Sequence, residues 1–256
     1  MIGKLFAAAV IAAAMAVPRM SGAQLRTSAL EIGTGTAATA GGTRVSDVDV
    51  VLTVPLSAHV QLLSRAGALS ASDPTSGVVL DSLSASSSRT SVASLGAVWH
   101  PSASLWITPR IERWTTLGLG QTFAWIDGSW RIAQNVTLLV GSRALSGQVG
   151  AGQVGAGADV AIAPGHVLTL YGLQGVRASS FEARRQLRAA WYGALGPRYT
   201  ARLAAIRDVD TRLAATTTAA SLTTMVTSFT GVRTEATWRA GAYARRSVRG
   251  ILVLRW

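Results

Sequence analysis

Apolar and polar residues take turns along most of this chain. Val48, Val50, Leu52 and Val54 share one face of an extended segment, opposite Asp47, Asp49 and Thr53. Leu117, Leu119, Phe123 and Trp125 oppose Thr116, Gly118, Gly120 and Thr122, and Val154 to Ile162 alternates with Gln153, Gly155, Gly157 and Asp159. Leu187, Ala189, Trp191 and Leu195 likewise oppose Arg184, Gln186 and Arg188. A period of two is the mark of β-strands with unlike faces. No amphipathic helix is visible after residue 23, and no apolar run there reaches the roughly 20 residues of a spanning helix. In water each apolar face would need a second sheet or helices as cover, so lipid is the economical cover. The pattern predicts an all-β fold: a single closed antiparallel transmembrane β-barrel.

Turn chemistry divides the strands. Val54-Pro55-Leu56-Ser57-Ala58, His100-Pro101-Ser102-Ala103, Ala133-Gln134-Asn135, Ala163-Pro164-Gly165-His166 and Leu195-Gly196-Pro197-Arg198 each precede a fresh apolar run. Pro, Gly and Asn suit tight turns and interrupt a ladder. Spacings of 33, 30 and 33 residues between Pro101, Gln134, Pro164 and Pro197 leave room for two strands and one longer loop each time. Five such turns predict 12 strands. A sixth, between Ala220 and Ser228, predicts 14, and 14 is held slightly ahead. Longer outer loops are expected at Gly35–Gly42, Ala68–Ser88, Glu112–Trp114, Ser146–Gly152, Ser179–Glu182 and Asp208–Arg212. The 68–88 loop is the longest and is polar and low in complexity.

The two ends of the sequence add a location. Met1 to Lys4 is a short positive start, Leu5 to Val17 is apolar, and Ser21-Gly22-Ala23 offers small residues for cleavage before Gln24. This predicts a signal peptide over 1–23 and a barrel domain over 24–256. Absence of cysteine excludes disulfides and a lipid-modified cysteine. At the other end Val248, Gly250, Leu252, Leu254 and Trp256 fall on one side of an extended tail that stops on an aromatic residue. With the leader and the rhythm between them, this tail resembles the C-terminal strand of bacterial outer-membrane β-barrel proteins. The resemblance implies a Gram-negative outer membrane, with those five positions serving as the assembly signal read by the barrel-assembly machinery. Trp99, Trp106, Trp130, Trp191, Tyr199 and Trp256 lie close to the proposed turns, which predicts an aromatic girdle at the periplasmic headgroup level.

Charge sharpens the picture only slightly. The one lysine, Lys4, leaves with the leader, and residues 24–256 hold 22 arginines against 12 acids. No basic helix or aromatic RNA-binding motif accompanies them, so nucleic acid is not the expected partner. Anionic solutes and lipopolysaccharide phosphates are. If Trp256, Leu254 and Leu252 face lipid, then Arg245, Arg249 and Arg255 point inward, as would Arg184, Arg188, Asp47, Asp49 and Asp159. A charge on the lipid face costs about 2–4 kcal/mol near mid-membrane, so the lumen is the favoured place.

Catalysis is not expected. His59, His100 and His166 all fall at proposed periplasmic turns, without metal-ligand spacing, and no Gly-x-Ser-x-Gly elbow occurs. Gly150-Ala151-Gly152 and Gly155-Ala156-Gly157 lack the Lys and helix of a phosphate loop. The expected function is a porin-like passive channel for small solutes with an arginine-rich lumen, needing no cofactor or metal. The alternatives are a non-conducting structural or surface-binding barrel whose outer loops contact lipopolysaccharide or partners, and an outer-leaflet lipid hydrolase. Open in the sequence are solute, strand register and oligomeric state.

Overall fold

A computed structural model of the chain describes residues 27–39, 44–72, 87–116, 119–145, 152–175, 185–208, 214–241 and 244–256. These form fourteen strands: β1 (Ala29–Thr39), β2 (Arg44–Pro55), β3 (Val60–Ser72), β4 (Ser87–Ser102), β5 (Leu105–Thr116), β6 (Leu119–Ala133), β7 (Val136–Leu145), β8 (Gly152–Ala163), β9 (His166–Gly175), β10 (Gln186–Ala194), β11 (Tyr199–Asp208), β12 (Ala215–Met225), β13 (Thr230–Gly241) and β14 (Arg245–Arg255). Each strand pairs antiparallel with its sequence neighbours, and β14 pairs back onto β1 from Ala29↔Arg255 to Thr39↔Arg245. The sheet is a closed barrel without edges.

Pairing registers determine its width. Carrying one position of β1 through the fourteen pairings in turn returns it to β1 displaced by 14 residues. Strands lie about 4.8 Å apart and rise about 3.3 Å per residue. Equal strand number and stagger therefore set a tilt of about 35° and a backbone radius of about 13 Å.

Six tight connections, at 56–59, 103–104, 134–135, 164–165, 195–198 and 226–229, share one end of the barrel with Ala29 and Arg255. This is the turn end; the opposite, loop end is where strands run into the segments outside the described residues. In the 164–165 turn Pro164 presets one central dihedral and Gly165 takes φ 75°, a conformation that favours glycine. The 226–229 turn has no Pro or Asn. The Thr227 hydroxyl holds it instead, accepting from the backbone N–H groups of Phe229 (3.1 Å) and Thr230 (2.9 Å).

Alternation divides inside from outside. Ile32, Val50, Leu95, Ile111, Ile126, Val140, Val154, Leu170, Leu187, Leu203, Leu222, Val232 and Leu252 are all exposed on the outer wall and come from thirteen different strands. Val45, Val92, Trp114, Phe123, Trp125, Leu139, Ile251 and Val253 have the opposite parity and are buried on the inner side. No second layer covers the outer wall among the described residues.

Several expectations need correcting. Glu112–Trp114 is no loop: it lies within β5, on a strand that runs to Thr116. Its charge looked like a loop because Glu112 faces inward, where it accepts a hydrogen bond from the Trp114 indole. Phe123 and Trp125, read as half of an outward apolar face, point inward. β1 continues through Gly35 to Thr39, β3 extends to Ser72 and β4 begins at Ser87, so two loops are shorter than expected. Asp208 closes β11, and β12 runs to Met225 before the sixth turn. Residues 1–23, Arg184 and the expected loop tips at 146–151 and 179–182 lie outside the described residues.

Candidate functional site

The inner wall carries three polar groupings. The largest straddles the closing seam. Arg249 on β14 pairs with Asp47 (2.8 Å) and with Asp49, both on β2, and Arg65 on β3 reaches Asp49 at 3.0 Å. Arg233 on β13 pairs with Glu31 on β1 (2.6 Å) and with its own neighbour Glu235 (2.9 Å). Side-chain exposure of these seven groups runs from 12% to 28%, so the pairs are partly desolvated and stronger than surface pairs.

Glycine makes the span possible. Gly35 is the direct ladder partner of both Arg249 and Asp47, and Gly33 that of Ile251 and Asp49. A Cβ on Gly33 would lie 2.6 Å from the Asp49 carboxylate, and one on Gly35 would meet both Asp47 and the Arg249 stem. With bare backbone there, the arginine lies flat across β1 and bonds two strands away. The same device recurs where the Tyr171 ring lies over Gly155 and Gly157, as when an aromatic covers a strand glycine. Gly155 and Gly157 thus leave room for the Tyr171 ring.

A second grouping continues along the wall. Arg239 on β13 pairs with Asp208 on β11 (3.2 Å); Gln186 on β10 donates to Asp208 (2.7 Å) and accepts from Arg188 (2.5 Å). Between these two groupings opens a cavity of about 130 Å³, with Asp47, Arg65, Arg202, Arg239 and Arg245 on its walls beside Ala204, Thr217, Ala219 and Ser221. The third grouping, on β5–β7, lays arginines on aromatic rings. Arg143 lies 3.9 Å from the Phe123 centroid and 4.6 Å from that of Trp125, and Arg110 lies 4.8 Å from Trp125.

Of the residues singled out from sequence, Asp47, Asp49, Asp159, Arg188, Arg245 and Arg249 lie on the inner face. Asp159 accepts a hydrogen bond from the Thr169 hydroxyl (2.6 Å). Arg255 is exposed at the turn end. Trp99, Trp130, Tyr199 and Trp256 are exposed on the outer wall at the turn end, and Trp191 stacks there on His166. Trp106 is different: it shares the inner parity of Arg110, Glu112 and Trp114, with Arg131 over its ring at 5.1 Å, so it does not belong to an outer girdle. Val248, Gly250, Leu252, Leu254 and Trp256 all have outer parity. Sequence reading missed Glu31, Arg65, Arg202, Arg233, Glu235 and Arg239. Arg233, Glu235 and Arg239 stand at even spacings, which places them on one face, but only pairing reveals that the face is the inner one.

No protein-family model matches the chain, and no curated protein does. Solved structures do. A bacterial polysaccharide outer membrane secretin aligns with TM-score 0.54 at 10% identity, over 91% of this chain and 99% of that one. A triple mutant of the Rhodopseudomonas blastica porin aligns with TM-score 0.50 at 9% identity, over 90% and 99%. The KdgM porin in complex with disordered oligogalacturonate gives TM-score 0.48 at 9% identity, over 88% and 98%. At such identities the likeness is one of fold: the chain has the closed antiparallel barrel seen in outer-membrane proteins.

Proposed function

We propose that this chain is a bacterial outer-membrane barrel acting as a porin-like passive channel for small solutes, with a weak preference for anions. The observation that carries the reading is the outer wall. Large aliphatic side chains stand exposed on nearly every strand of a closed sheet, while every described carboxylate stands on the inner side. A soluble protein rarely exposes a contiguous apolar patch beyond a few hundred Å². A barrel in hydrocarbon requires this arrangement. The turn end, with Ala29, Arg255, the short turns and the outward aromatics, is then periplasmic.

Passage through the interior follows from width and lining. A backbone radius of about 13 Å is too wide for small side chains to fill. β11, β12 and β14 contribute Ala204, Ile206, Thr217, Ala219, Ser221 and Ser247 to the inner wall. Among the described residues the ion pairs run along the wall, within one strand or between strands at most two apart, and do not cross the interior. Arginines outnumber the acids around the cavity, which favours anions modestly because most of the charge is compensated. Substrate chemistry by catalysis has little support: the described histidines all sit at the turn end, away from an outer-leaflet substrate.

Planar-bilayer recording of the refolded chain across a salt gradient tests this. Expected are stable conductance steps and a reversal potential on the anion side. Absence of conductance, or clear cation selectivity, would overturn it in favour of a non-conducting barrel.

A further inference from the structure

Among the described residues the outer wall carries charge of one sign, whereas the inner wall carries both. Arg44, Arg113, Arg207 and Arg246 stand exposed on that wall at the loop end, and the described residues place no carboxylate beside them. Two of the four stand close together. Ala38 on β1 is the ladder partner of Arg44 on β2 and of Arg246 on β14, so the two arginines flank one alanine in a single row. Strand spacing puts their backbones about 9–10 Å apart. Two guanidinium groups reaching over a methyl floor at that separation can converge on one phosphate. Arg246 is in turn the partner of Trp238, 47% exposed on the same row, which adds an apolar plate beside the notch.

Below this row the wall changes in steps of two residues, about 6–7 Å each. Beneath Ala38 and Arg44 come the hydroxyls of Thr36 and Ser46, which are partners of each other. Val248, the partner of Thr36, lies in that same row; the next row holds Val48, Thr34 and Gly250, and the one after it Val50, Ile32 and Leu252. The surface thus passes from cations, through two rows that mix hydroxyls with valines, to a row of aliphatic chains alone, the order in which a phosphorylated glycolipid presents phosphate, sugar and hydroxylated acyl groups.

We infer that the notch formed by Arg44, Ala38 and Arg246, with Trp238 beside it, is a binding site for a phosphate of lipopolysaccharide in the leaflet at the loop end. The inference rests on the membrane reading above but not on conduction. Bidentate guanidinium–phosphate contact supplies the affinity; the indole face receives the adjoining sugar ring; the wall below receives an acyl chain.

The test is native mass spectrometry of the full chain in detergent, titrated with bis-phosphorylated lipid A, with the same lipid after phosphatase treatment, and with phosphatidylglycerol. Lipid A is expected to bind the parent chain, and the other two at least about tenfold more weakly. The double variant Arg44→Gln/Arg246→Gln is expected to lose a similar factor. Ala38→Leu, which keeps both charges but fills the notch, should weaken binding as well, whereas Arg255→Gln at the turn end should not. Undiminished binding by the double variant, or equal binding of the phosphatase-treated lipid or of phosphatidylglycerol, would overturn the site. Insertion into liposomes and heat-dependent gel mobility, measured in parallel, separate the two failures. A chain that never inserts refutes the membrane reading, while one that inserts and ignores the phosphates refutes only this site.

Discussion

Two stretches of the inner wall satisfy arginine in different ways. Across the seam, from β13 to β3, Arg65, Arg233 and Arg249 are matched by four carboxylates, over the bare backbone of Gly33 and Gly35. On β5–β7, Arg110 and Arg143 lie on the faces of Phe123 and Trp125, which are 1% and 6% exposed. The first solution joins strands that are not neighbours, where the sheet closes last in sequence. It depends on charge and on empty space. The second fills a wall between consecutive strands and depends on apolar area with a cation laid on top, worth about 2 kcal/mol when desolvated. The difference teaches that an inward arginine does not by itself announce a charged pore wall: the neighbouring small or aromatic positions decide whether it clasps the barrel or packs it.

Substitutions can break the contrast in order of size. Gly35→Leu places a side chain where Arg249 meets Asp47, and should cost about 3–5 kcal/mol by parting partly buried charges. Loss of the heat-resistant folded form after refolding into micelles would report it, and a normal folded fraction would refute the clasp. Trp125→Ala should cost about 3 kcal/mol through the void and the two lost cation–π contacts. Its denaturant midpoint should fall while ion selectivity stays near the parent value, since no charge is removed. Asp49→Asn should do the reverse. It destabilises by about 2 kcal/mol, because Arg65 and Arg249 both lose a charged acceptor, and it moves the reversal potential further towards anions. An unchanged potential would mean that the seam does not face the conducting path. Smallest of all is Gly250→Leu on the outer wall, two residues before Leu252 and with nothing within 4 Å of an added Cβ. A change within about 0.5 kcal/mol in the same refolding measurement is expected, against the large effect at Gly35.

The strand rhythm and most of the turns were legible in the chain because both are local. Pro164 and Pro197 mark turns through their own dihedrals, Pro101 interrupts the β4 ladder just before one, and Val48 to Val54 shows its two faces by alternation alone. Legibility failed where an inner face was itself apolar. Phe123 and Trp125 alternate with small polar residues just as an outward strand does, and Glu112 reads as loop for want of a visible partner. The candidate phosphate notch was also illegible, since Ala38, Arg44 and Arg246 come together through two strand pairings.

By itself, then, the sequence determined that the chain makes strands, roughly where they turn, and that one face of most of them is oily, since each of these depends on residues a few positions apart. Only the tertiary structure decided that there are 14 strands closing with a stagger of 14, which aromatic residues turn inward, and which arginine meets which acid. Register is the physical reason. Partners such as Arg249 and Asp49 stand 200 residues apart, and a slip of one position in any pairing would exchange inner and outer faces.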